Sequence, residues 1–197
     1  MYQKKPSAAA RIAFEEAIDT YRALEDHHRL ADSLSNLAVV STEQDRLDEA
    51  HALFEESIAL DRAFDNQWGV AQNLTGQATL ALARAKPDQA ATLLAAAVQS
   101  LRQLGDRPSL VAALERLAAT AAAREDHTFA ARLWGAADAQ RHAAGEPRTV
   151  AETATLARYL DASRASLGPE GFASAAHEGA ALDLDAELTE ALLKVAT

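Results

Sequence analysis

The groups of this 197-residue chain that could do chemistry are six histidines and several paired carboxylates. His27, His28, His51, His127, His142 and His177 are the candidate metal ligands or bases. A helical zinc site sets two histidines four residues apart on one face, and none of the six has such a partner. Asp26-His27-His28 has the polarity to hold a metal, but an exposed polar loop accounts for the same residues. His177-Glu178 lacks the second histidine of a metalloprotease helix. Glu15-Glu16 and Glu55-Glu56 read as solvated helix surface, whereas acid–base work needs burial to tune a carboxyl pKa. The absence of cysteine excludes disulfides, thiol catalysis and cysteine-based zinc sites. No Gly-rich loop ends in Lys-Ser or Lys-Thr, and no Gly-x-Gly-x-x-Gly or Gly-x-Ser-x-Gly occurs. The expectation is a protein that is not an enzyme, with no cofactor and no metal.

The elements that would position any site are set by a forty-residue repeat. Ala10, Ala50, Ala90 and Ala130 form one column, and Phe14, Phe54, Leu94 and Trp134 form the column four places on. Ala17, Ser57, Ala97 and Ala137 follow, with Leu34, Leu74 and Leu114 and then Ala38, Ala78 and Ala118 in a second register. A fixed period of this length marks a stacked repeat protein, and such stacks present surfaces more often than catalytic sites. Within a unit, Leu30, Leu34, Leu37, Ala38 and Ser41 stripe a first helix over about 28–44. Ala50, Leu53, Phe54, Ile58 and Ala59 stripe a second over about 48–64. Hydrophobic residues make up 49% of the chain but aromatics only 5%, and eight glycines leave little for strand turns. The fold class is therefore all-α, an α-solenoid of antiparallel helix pairs with about ten helices.

Punctuation agrees. Pro6, Pro87, Pro108, Pro147 and Pro169 stand where helices can begin, and Gly105, Gly145 and Gly168 stand where helices end. Residues 1–25 read as the second helix of an incomplete first repeat. Residues 26–147 read as three helix pairs and 148–197 as capping helices, all in a single structural domain. Asp183, Asp185, Glu187 and Glu190 supply a polar outer face for the cap. Helix one carries Ile12, Phe14 and Ile18, more apolar surface than one neighbour covers. Either the chain is a piece of a longer protein, or that edge meets another chain, giving a homodimer.

The net charge of −10, from 19 basic and 29 acidic residues, argues against direct nucleic-acid binding. Lys4-Lys5 is the densest basic spot. No stretch is apolar enough for a membrane span and no signal-peptide core is present, so the expected location is cytoplasmic.

The columns resemble the tetratricopeptide repeat. Leu34, Leu37, Ala38, Ala50, Phe54 and Ser57 fit that pattern, as do Leu114, Leu117, Ala118, Ala130, Trp134 and Ala137. Leu74, Ala78, Ala90, Leu94 and Ala97 fit more loosely. The period is longer than the family's, and Asp45, Ala85 and Glu125 stand where it has glycine. The resemblance implies a right-handed superhelix. The tail is similar to the carboxyl-terminal repeat region of bacterial MalT-like, LuxR-type and antibiotic-regulator-type signalling ATPases. That likeness is carried by Arg132-Leu133-Trp134-Gly135-Ala136-Ala137, Gly145-Glu146-Pro147, Leu167-Gly168-Pro169-Glu170-Gly171-Phe172 and Ala176-His177-Glu178-Gly179. It implies an arm of a transcriptional regulator, whose partner is a protein, a peptide or another domain of the regulator.

First helices line the concave side of such stacks, which makes Asp32, Ser35, Asn36, Gln72, Thr75, Thr79, Glu115 and Arg116 the candidate partner-binding residues. Ile12, Phe14 and Ile18 are the candidate self-association residues. A small-effector sensor, with a ligand in the groove or near Trp68 and Trp134, is the alternative to a protein-binding scaffold. A metal enzyme built on the histidines is a third reading.

Overall fold

Seven turns, spaced twenty residues apart, organise the chain. Glu25, Asp45, Asp65, Ala85, Gly105, Glu125 and Gly145 all have positive φ, between 54° and 71°. Each ends a helix, with the next amide bonding back into the last turn. Asp26, Asn66, Asp106 and Asp126 then cap the following helix through a side-chain oxygen on the backbone N–H three residues on. Gly105 and Gly145 adopt this left-handed geometry at no steric cost, while Ala85 and the acidic residues pay for a Cβ there.

The structure is a computed structural model that describes residues 5–146, 148 and 150–195. Among these residues every element is a helix. The order is α1 (Lys5–Ala23), α2 (His27–Glu43), α3 (Leu47–Ala63), α4 (Gln67–Ala83), α5 (Pro87–Leu104), α6 (Arg107–Ala123), α7 (His127–Ala144), α8 (Val150–Ala180) and α9 (Leu184–Val195). The expected helices over 150–166 and 169–179 are joined in α8, with a break where Gly168 takes φ 69° and ψ 170° ahead of Pro169. Pro147 lies outside the described residues.

Helices α1 to α8 each pack on their neighbours in sequence, and α2, α4, α6 and α8 also touch one another in series. The second helices α1, α3, α5 and α7 make no comparable row, so the stack curves with the first helices inside. The alanine columns set the spacing. Ala38, Ala50, Ala78 and Ala90 are fully buried, with Phe54 and Leu94 closed in beside them. Gly76 leaves room for Phe54, since a Cβ there would lie 2.6 Å from the ring. Trp134, in the same column, is half-buried against the core under the Arg148 guanidinium, 4.2 Å from the ring centroid.

The tail folds back rather than lengthening the stack. Gly135 and Gly179 bring α7 and α8 into backbone contact: a Cβ would stand 2.0 Å from the Ala176 carbonyl oxygen in the first case and 1.9 Å from that of Arg132 in the second. Helix α9 lies across α5, α6 and α7 and buries Leu184, Leu188 and Ala191. The expectation of a wholly polar outer face there needs correction. Glu187 is buried and accepts from Arg132 Nε at 3.4 Å, because α9 turns that side inward; Glu190 also pairs with Arg132. Burial pushes the Glu187 carboxyl up, against the opposing pull of Arg132.

Two substitutions test this geometry. Gly179→Ala should cost about 3 kcal/mol, because backbone cannot yield as a side chain can. Ala85→Gly should stabilise by about 1 kcal/mol, by removing the left-handed strain at an exposed turn. Urea denaturation followed by circular dichroism measures both, and equal midpoints for the two variants would refute the assignment.

Candidate functional site

The concave face is built from α2, α4, α6 and the first part of α8. On α2 the side chains of Asp32 and Asn36 are exposed and Ser35 is half-buried. Asn36 Nδ2 donates to the Asp32 carbonyl oxygen one turn back at 2.9 Å. On α4, Gln72 and Thr79 are half-buried and bridge to α6. Gln72 Nε2 donates to Ser109 Oγ at 2.5 Å, and Arg116 Nε donates to Thr79 Oγ1 at 3.0 Å. Trp68 Nε1 adds a third rung to Asp106 Oδ2 at 2.6 Å. Burial alone would raise the Asp106 carboxyl, but donors from Ser109 and Trp68 hold it below the usual range.

Two of the candidate groove residues lie inside the stack. Thr75 is 4% exposed, and its hydroxyl donates to the Ala71 carbonyl oxygen at 2.9 Å. Glu115 is 1% exposed and is clamped by Arg141 Nε at 2.6 Å, Arg141 Nη2 at 3.1 Å and Arg148 Nε at 2.7 Å. Arg148 also donates to Asp138. The column Ser35, Thr75, Glu115 is open only at its first member; in the later pairs these positions turn into the helix packing. Arg141 and Arg148 were not among the expected site residues. The available signal was Glu115 itself, a carboxylate flanked by Leu114 and Leu117 in an apolar helix.

The accessible groove therefore comprises Asp32, Ser35 and Asn36, the outer edges of Gln72, Thr79 and Arg116, and the end wall on α8. A cleft of ≈ 510 Å³ opens at that end, lined by Thr42, Glu43, Thr79, Leu82, Arg158 and Tyr159 among others. Arg158 Nη2 and the Tyr159 hydroxyl donate to the Leu82 carbonyl oxygen at 3.1 and 3.0 Å, which ties α8 to the end of α4.

Beneath the groove lies a polar network that sequence reasoning did not single out. Asp61 on α3 is buried and accepts from Asn66 Nδ2 at 2.7 Å and Asn73 Nδ2 at 2.9 Å. Asn73 Nδ2 also donates to Ser57 Oγ, whose hydroxyl donates to the Ala31 carbonyl oxygen of α2 at 2.8 Å. The network thus joins α2, α3 and α4. Asn73 Oδ1 is buried without a hydrogen-bond partner. Burial pushes the Asp61 carboxyl up; the Asn66 and Asn73 bonds pull it down, nearby Asp32 raises it further and His28 opposes.

His27 and His28 make local contacts at the start of α2. Asp26 caps α2, His27 stacks on Phe64 at 4.9 Å, and His28 lies 3.5 Å from Asp32. Among the described residues no three His, Asp or Glu side chains gather as a metal site requires. Among the same residues, no helix is long and apolar enough to cross a membrane.

The candidate self-association residues separate. Ile18 is 6% exposed in a cluster with Leu30, Leu34 and Leu37, and Phe14 packs half-buried against it. Only Ile12, at 57%, stands out in solvent. Helix α2 covers more of α1 than the count of apolar residues implied.

A family model described as Tetratricopeptide repeat matches residues 2–63, the stretch that contains α1, α2 and α3. A search of the curated proteins and a search of the solved structures find no match.

Asp61 supplies a pH test. Its folded pKa is raised, so its contribution to stability is complete below the ordinary aspartate value, about 3.9. That contribution is lost as pH rises through the folded value, each tenfold difference in acid constant being about 1.4 kcal/mol. Asp61→Asn should therefore gain stability relative to wild type between pH 4 and pH 7 in urea titrations. A difference that stays constant across that range would contradict the buried, raised carboxyl.

Proposed function

We propose that this chain is a non-catalytic protein-interaction scaffold that grips a protein or peptide partner along the concave face. The match of residues 2–63 to the tetratricopeptide repeat supports the general reading, since stacked repeats work by surface recognition. The observation that carries the site is the open polar edge of α2 beside the cleft closed by Arg158 and Tyr159. Asp32, Ser35 and Asn36 offer acceptors and donors at one end, and Arg116 a cation midway. The alternation suits the backbone and polar side chains of an extended segment better than an apolar helix. The groove is short of lysine, which weighs against capture of a terminal carboxylate.

In the finer reading the chain is the repeat arm of a bacterial transcriptional regulator or signalling protein, working in the cytoplasm without touching nucleic acid itself. The tail from Arg132 to Gly179 supports it. The Gly135 and Gly179 of its motif are the two residues that let α7 and α8 meet at backbone distance, so this part of the motif serves helix packing. The division into a half repeat over 1–25, three pairs over 26–147 and a cap over 148–197 belongs to the same proposal.

A small-effector sensor is the second reading. The cleft of ≈ 510 Å³ falls within the range of small-molecule sites, roughly 300–1,000 Å³. A metabolite that raises the melting temperature and is blocked by Tyr159→Ala would favour it.

The scaffold reading is tested by Asn36→Ala with Arg116→Glu. Partner recovery in affinity capture should drop at least about tenfold, as expected when hot-spot contacts are lost, while the circular dichroism spectrum stays that of the wild type. Undiminished recovery of the same partner by the double variant would remove the groove from consideration.

A further inference from the structure

The cleft between the ends of α2 and α4 and the wall of α8 joins an apolar lining to acids that the fold leaves unused. Leu82, Ala83 and Leu156 line its ≈ 510 Å³ with hydrocarbon, and Glu43, Asp45 and Arg158 bring its charges. The acids that follow in sequence are paired. Asp48 meets Arg84 at 2.6 Å, and Glu49 meets Arg11 at 2.9 Å and Arg46 at 3.0 Å. The side chains of Glu43 and Asp45 have no hydrogen bond or ion pair among the described residues. Arg158 does not neutralise them. Its Nη2 donates to the Leu82 carbonyl oxygen at 3.1 Å, its guanidinium lies 4.6 Å from the Tyr159 ring centroid, and it forms no ion pair with either acid. Glu43 is exposed as a residue, yet partial burial pushes its carboxyl up and no donor opposes the shift. A cation beside it would remove that penalty.

We propose that this cleft receives a basic side chain, lysine or arginine, from the segment held along the concave face. The inference deepens the scaffold reading and rests on it. Lysine and arginine lay their methylene stems on apolar surface and keep the charged head in water. Leu82, Ala83 and Leu156 offer the surface for the stem, and the exposed Glu43 and Asp45 face the head. An acidic side chain would meet two carboxylates of its own sign, and an apolar one would leave both without a counter-charge. Complementarity of this kind fixes register and partner choice more than affinity. The cleft therefore sets which residue of the bound segment stands against the α8 wall.

The test pans a phage-displayed library of random linear peptides on the full chain and on the cleft variant Glu43→Gln with Asp45→Asn. Asparagine tolerates the left-handed backbone at position 45, φ 60°, so the variant should keep the wild-type circular dichroism melt. The wild type should enrich peptides with lysine or arginine at one fixed position. A synthetic peptide of the enriched sequence should bind the cleft variant about three- to tenfold more weakly in fluorescence anisotropy, the scale of two partly exposed ion pairs. The same peptide with glutamine at the basic position should bind both chains equally. Enrichment without a fixed basic position, or equal binding of the basic peptide by the two chains, would overturn the proposal. The groove variant Asn36→Ala with Arg116→Glu separates the two readings. A peptide without a basic position that this variant fails to bind leaves the groove and removes the cleft. A basic peptide that it binds as wild type does, and that the cleft variant binds weakly, leaves the cleft and removes the groove. No enrichment at all would also overturn the proposal, and a wild-type melt raised by putrescine would then assign the cleft to a small cation.

Discussion

Close approach between helices is the constraint on which everything else in this stack rests. Each pair meets through columns of alanine that are buried almost completely, with one large side chain filling the space toward the next unit. Interiors of this kind are as dense as organic crystals, so a single added carbon is felt. The left-handed turn every twenty residues reverses the chain at the same point each time and keeps the columns in register. Where alanine is still too large the chain uses glycine, at Gly76 against Phe54 and at Gly135 and Gly179 between α7 and α8.

The interior is not purely apolar. Asp61, Glu115 and Glu187 are all buried, and each is met by donors from another helix. Taking a carboxylate out of water is costly unless partners replace the lost hydration. The partners here come from neighbouring elements, so each acid joins helices that the alanine columns alone would let slide. Pairing Glu115 and Glu187 with internal arginines removes charges of both signs together, so it does not lower the net negative charge of −10.

The groove and its cleft follow from one architecture. The first helices crowd together and form a curved inner face, and the rungs Trp68–Asp106, Gln72–Ser109 and Thr79–Arg116 stiffen it between α4 and α6. Between α2 and α8 the same face widens into a cleft. On α1 the residues of the repeat columns, Ala10, Phe14 and Ala17, are half-buried. The groove is polar because its residues have already satisfied packing elsewhere.

The sequence by itself determined the helices, their pairing and the forty-residue unit. These rest on local periodicity and on glycine and proline at chain reversals, properties a linear string displays directly. Asp32 and Asn36, read from the repeat columns, are exposed in the structure. The αL turns at Asp45, Ala85 and Glu125 were visible only as departures from glycine, and the N-caps at Asp26, Asn66 and Asp106 form a forty-residue column that periodicity of apolar residues does not reveal. Only the tertiary structure decided that Thr75 and Glu115 face inward while Ser35 in the same column does not. It alone turned Glu187 from the outer surface of the cap toward Arg132, and buried Ile18 beneath α2. A repeat column fixes an angle around the helix axis, but exposure depends on what lies across that angle, and the neighbours change from one end of the stack to the other.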